Sequence, residues 1–217
     1  MCSTKNSNVN PAGIWSVTGL QGEFGLLLAF KHLNSSTLPT SMVAIHILTT
    51  GGSMDKTYCG KASDFIVSSP TISQIFEEAF ATTNHTIEVT EICRKDSLAL
   101  DDADRESVRL QIEALPSTTT HIIVTHGTDT MWHTAHTCEA TAKRLNKVVV
   151  FTGAMLPTAF NNTDAKFNVG FAAAVLQMTP SGCHVVMGGL VFSQPLRIRK
   201  NLDTCVYYEA EEDRIIA

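Results

Sequence analysis

Apolar, β-rich runs recur along the chain at Met42–Thr49, Ile87–Cys93, His121–Thr125, Val148–Phe151 and Cys183–Phe192. Their length and their content of Val, Ile, Leu and Thr predict strands buried in a sheet. Helical periods lie between them. Ile72, Ile75, Phe76, Ala79 and Phe80 form one apolar stripe, with Ser69 as its expected cap and Pro70 at the first helical position. Val108, Ile112 and Leu115 form a second, between the acidic start Asp101–Asp104 and a stop at Pro116. Met131, Ala135, Cys138, Ala142 and Leu145 keep a helical period that ends in Lys143 and Arg144. The run Phe167–Met178 is apolar all round, which predicts a helix packed on two sides. Strands and helices alternating in this way predict an α/β fold: a doubly wound, mostly parallel sheet flanked by helices.

The first forty residues break the pattern. A Ser/Asn-rich start, a short apolar patch around Trp15 and the run Asn34–Ser41 sustain neither period. Residues 1–40 therefore read as an extension, disordered or loosely docked, and 41–217 as a single domain. At 44% hydrophobic and 17% charged residues, the chain has globular composition rather than that of a disordered one. A net charge of -5 argues against nucleic acid as a partner. The longest apolar stretch near the start, Phe24–Phe30, is too short to cross a membrane and lacks the flanks of a signal peptide. Cys2, Cys59, Cys93, Cys138, Cys183 and Cys205 are widely scattered, as reduced thiols are in a cytoplasmic protein.

Ligands of open parallel sheets bind beyond the carboxyl ends of the strands, so the residues just after each run are the candidates. They are Thr49–Ser53 with Tyr58 beyond, Lys95–Ser97, His126–Thr130, Gly153–Met155 and Arg197–Asn201. Hydroxyls, a carboxylate and cations thus converge on one crest, although such residues are ordinarily turn formers and caps. Neither G-x-x-x-x-G-K-[ST] nor G-x-G-x-x-G occurs, which weighs against nucleotide binding and leaves Gly188-Gly189 without a role. His133 and His136 share a helix face, but no second ligand pair accompanies them, so no metal site is expected and no cofactor is implied. A serine-hydrolase elbow, G-x-S-x-G, is missing too.

Thr49-Thr-Gly-Gly-Ser-Met-Asp55 resembles the first signature of the bacterial-type L-asparaginases, and Thr125-His-Gly-Thr-Asp-Thr-Met131 resembles the second. Arg94–Ser97, Thr152–Met155 and Asp164–Asn168 are similar to further stretches of that family, most of all to short asparaginases made of the amino-terminal domain alone. The resemblance implies an amidohydrolase that releases ammonia from L-asparagine, with glutamine as a second candidate substrate; the crest of a lone sheet would be open to water, which predicts a homodimer that covers part of it. The resemblance assigns Ser53 as the nucleophile, Tyr58 as its helper, and Thr128 with Asp129 as the second catalytic pair. Ser97 stands where the substrate α-carboxylate is bound, with Gly52, Gly127 and Ala154 around the substrate. Ser replaces the usual Thr at 53, and Leu156 stands where an arginine is common. The family's helix lysine has no counterpart in Phe167–Pro180, so Lys200, on the same crest, is its expected substitute. Two other readings share these motifs: the amidase-like subunit of an amidotransferase, and a non-catalytic module that binds an amino acid.

Overall fold

A computed structural model describes residues 43–210 except 80, 84 and 202, so the extension expected over residues 1–40 lies outside the described residues. Strand β1 (Val43–Gly51) lies between β4 (His85–Lys95) and β5 (His121–Thr125), and the sheet continues through β6 (Val148–Thr152) and β7 (Gly182–Met187) to β8 (Leu190–Phe192). All pairs are parallel except β7–β8. The order turns from β1 to β4 on one side and from β1 to β5 on the other. That reversal makes the β1–β5 crevice the switch point of a doubly wound sheet.

Alternation along the strands decides which helix covers which face. Leu48, Ile122, Val124, Val149, Phe151, Cys183 and Val185 pack with residues of α2 (Asp102–Ala114) and α3 (Met131–Arg144). Their neighbours Ile45, Ile47, Ile123, Val150 and Val186 point the other way, onto α1 (Ile72–Glu78) and α4 (Ala165–Leu176). Every one of these strand residues is buried. Helix α2 begins with a reciprocal capping box between Asp101 and Asp104. At its other end Lys147, 1% exposed, donates to the carbonyl oxygens of Leu115, Pro116 and Thr119 at 3.3, 2.8 and 2.7 Å. Burial pushes the Lys147 ammonium below its ordinary range, and the three carbonyls are what make its place in the core tolerable.

Four local expectations change. The run Cys183–Phe192 is two strands, because Gly188 and Gly189 adopt φ of 59° and 80° and fold it into a tight antiparallel hairpin. Helix α1 starts at Ile72 behind Thr71, not at Pro70, and Phe80 lies outside the described residues. Segment 56–67, for which no element is expected, forms the hairpin β2 (Lys56–Cys59) and β3 (Asp64–Val67). Helix α4 packs on one side only, leaving Phe167 exposed, and Met178 of the expected run lies beyond its end, also exposed. A last hairpin, β9 (Ile198–Lys200) with β10 (Tyr207–Glu209), brings Lys200 opposite Tyr207.

Candidate active site

Two glycine-bearing turns meet at the switch point. After β1, Gly51 and Gly52 take φ of 95° and 90°, in the left-handed half of conformational space that side chains resist. This turn leads into a single 3₁₀ turn, Ser53–Asp55, in which Ser53 is half-buried. After β5 comes Gly127. A methyl group on Gly52 would lie 2.4 Å from the Gly127 Cα, so the residues preceding Ser53 and Thr128 are in backbone contact. A methyl on Gly127 would in turn strike Ser97, at the end of β4. Three strand ends are thereby packed against one another, and glycine is what lets them approach.

Around Thr128 the polar groups are closely paired. Thr128 is 4% exposed, and Lys200 donates to its Oγ1 at 2.8 Å and to Asp129 Oδ1 at 2.6 Å. The Lys200 side chain is itself only 9% exposed. The Tyr207 hydroxyl donates to the main-chain oxygen of Thr128. Burial, reinforced by the Asp129 charge, pushes the Tyr207 phenol well above its usual range, so it remains a donor. The β9–β10 hairpin therefore grips Thr128 at both its side chain and its backbone. Arg199 anchors that hairpin on α3, its guanidinium 4.4 Å from the Trp132 ring centre.

Ser97 lies beneath this pair. It is 1% exposed; its hydroxyl accepts the Asp129 N–H at 3.2 Å and donates to Asp129 Oδ2 at 3.3 Å. A hydroxyl so occupied orients Asp129 and has no open face of its own. Ala154 departs further from expectation: it is wholly buried in the α1/α4 core, so its side chain lines no open site. Tyr58, 62% exposed on the β2–β3 hairpin, meets Phe65 in a T-shaped ring contact, and Phe65 meets Phe160 in the same way. The hairpin is tied to the Ser97 loop by Lys56, which donates to Asp96 at 2.6 Å and holds that carboxyl below the usual carboxylate range. On the far side, Asp164 accepts the N–H groups of Met155 and Leu156, while Asn168 bridges Gly153 and Gly188. His133 and His136 are exposed and Cys138 is fully buried; among the described residues no cluster suits a metal ion.

Sequence reasoning names Ser53, Thr128, Asp129, Ser97 and Lys200 as candidates and includes His126 only as the first residue of the second turn; it gives no role to Tyr207, Lys56 or Asp55. His126 underlies the second turn. Its Nδ1 faces the Gly127 carbonyl at 2.7 Å, an acceptor, so the ring proton sits there and Nε2 accepts from Thr134 at 2.8 Å. Burial lowers its pKa from 6.5 to about 4. Between those values the unfolded chain binds a proton that the folded one refuses, so stability is lost as pH falls through that window. The expected loss is roughly 3 kcal/mol by linkage. Urea midpoints at pH 7 and pH 4.5 check this: His126→Gln should flatten the dependence, and an unchanged slope would refute it.

The model of the asparaginase amino-terminal domain ("Asparaginase, N-terminal") matches residues 44–204. The chain belongs to the asparaginase family. The thermostable L-asparaginase of Thermococcus kodakarensis superposes with a TM-score of 0.66 at 22% identity, over 77% of this chain and 51% of that one. For the probable cytoplasmic L-asparaginase of Campylobacter jejuni the TM-score is 0.61 at 25% identity, with the same 77% and 51% coverage. This asparaginase-family chain thus spans about half the length of both proteins.

Proposed function

We propose that the chain is an amidohydrolase that cleaves the side-chain amide of L-asparagine, with L-glutamine as a second candidate substrate, to the acid and ammonia. The observation that carries this reading is the contact of Gly52 with Gly127, which sets the Ser53 turn beside the Thr128–Asp129–Lys200 group. A serine hydroxyl is a weak nucleophile until a neighbour takes its proton. Ser53 Oγ attacks the amide carbon, Tyr58 and the Lys200–Thr128 pair carry protons, ammonia leaves, and water cleaves the acyl-enzyme. Backbone N–H groups of the two glycine turns suit the oxyanion. Asp129 holds the substrate ammonium through a charge-assisted bond. Ser97 acts through Asp129, to which its hydroxyl is bound. Ser53 and Tyr58 stay open to water, which favours a two-fold homodimer, in the cytoplasm, whose partner shields the crest.

The test is ammonia release from asparagine by the purified chain alone. Release without a partner protein supports the proposal and removes both alternatives. Asparagine binding with no release would favour the binding module; release only with a partner subunit would favour the amidotransferase reading.

A further inference from the structure

Behind the Ser53 turn lies a carboxyl group to which neither the resemblance nor the proposed chemistry gives a role. Asp55 is 1% exposed and closes the same 3₁₀ turn as Ser53. Its Oδ1 is 2.9 Å from both the N–H and the Oγ1 of Thr71, at the head of α1. Thr71 Oγ1 is 3.0 Å from Thr158 Oγ1, in the loop beyond β6, and Thr158 Oγ1 is 3.0 Å from the Met54 carbonyl oxygen. The Asp55 main-chain oxygen accepts both the N–H and the hydroxyl of Ser68, at 2.9 and 3.0 Å. Thus α1, the end of β3 and the β6 loop all fasten on Met54 and Asp55, next to Ser53.

A proton count constrains this run. Three oxygen–oxygen contacts stand in series: Asp55 to Thr71, Thr71 to Thr158, and Thr158 to Met54. Each needs one proton between its oxygens. The two threonines supply one each, and the Met54 carbonyl supplies none. An ionised Asp55 supplies none either, which leaves one contact as two facing lone pairs. Within this run only Asp55 has a site for the missing proton. Its other oxygen, Oδ2, is sealed from water and has no partner among the described residues. That situation is far more costly for a carboxylate than for a neutral acid.

We propose that Asp55 is a positioning residue carried as a neutral carboxylic acid, donating to Thr71, which donates to Thr158, which donates to the Met54 carbonyl. The directed run holds the Ser53 turn in place; its effect on turnover rests on the function proposed above, while the proton on Asp55 does not. Burial acts in the same direction, lifting the Asp55 carboxyl above its ordinary range. The Thr71 N–H, which donates to Oδ1, opposes that, and of the charges facing it from β4, Glu91 lifts it further and Arg94 lowers it. A carboxyl raised on folding stabilises below its unfolded value and loses that contribution as pH rises through its folded value.

Infrared difference spectra of the full chain, wild type minus Asp55→Asn, decide the protonation at pH 7. The expected result is a carboxylic-acid C=O band that disappears with the substitution; carboxylate bands in its place would overturn the proposal. Turnover decides the positioning. Asp55→Asn keeps a donor for Thr71 Oγ1 but takes away the acceptor of the Thr71 N–H, so the cleaner variant is Thr158→Val, which should lose about tenfold in kcat with KM little changed. A Thr158→Val enzyme with normal kcat would remove Asp55 from any role at Ser53. If the chain releases no ammonia at all, the function proposed above fails, and the infrared result still stands on its own.

Discussion

Ser53→Ala is expected to lower asparagine turnover by roughly 10⁴-fold or more, the scale on which nucleophile removal acts in hydroxyl-based hydrolases. The fold should not notice. Among the described residues the Ser53 side chain makes no hydrogen bond, and its turn is held by neighbours: Gly52 N–H to Lys95, Thr158 to Met54, and Ser68 to Asp55. The melting temperature should therefore stay within about 2 °C of wild type, as for surface substitutions without a structural partner. Asparagine binding should survive, because Asp129 keeps its place on Ser97 and Lys200. Ser53→Thr should keep turnover, since the added methyl restricts rotamers without removing the hydroxyl. Normal turnover in Ser53→Ala would transfer the nucleophile's role to Thr128.

How much of this could be read from the chain depended on how local each signal was. The strand His121–Thr125 has the same limits in sequence and in structure, since its apolar run is unbroken and both faces are covered. The β2–β3 hairpin escaped notice because Phe65 and Ile66 are adjacent and both exposed, so no alternation marks it. Gly188-Gly189 was passed over as a motif fragment, yet as a turn it ends β7 and starts the chain's return toward Thr128. Ser53, Thr128 and Asp129 can be named as candidates because they follow strand ends directly. Tyr207 cannot, because its reach to Thr128 depends on β9–β10 pairing that leaves little trace in so short a pair. Asp55 cannot either: aspartates are seldom fully buried, and nothing local in sequence reports a burial created by α1 and the β6 loop.

Lys200→Met is expected to cut turnover by ~10²-fold or more, the usual scale for losing general acid–base help. The geometry makes this residue hard to replace. Its Nζ joins the Thr128 hydroxyl to the Asp129 carboxylate, at 2.8 and 2.6 Å, with 9% of its side chain open to water. Removing the ammonium leaves Asp129 with Ser97 alone, so substrate affinity should weaken as well as kcat. Lys166→Met is the control. Lys166 sits on the outer face of α4, its side chain 60% exposed and paired with Glu78 at 2.8 Å, where solvent screens the pair and little depends on it. Lys200→Arg separates two ways in which the lysine can work. An arginine keeps the positive charge beside Asp129 but cannot take a proton near neutral pH. Recovery of most activity in Lys200→Arg means that the charge polarises Thr128 and orders Asp129. A loss as deep as that of Lys200→Met means that Lys200 itself accepts the proton. Equal, small losses at Lys166 and Lys200 would take Lys200 out of the chemistry and leave the β9–β10 hairpin a brace for the second turn.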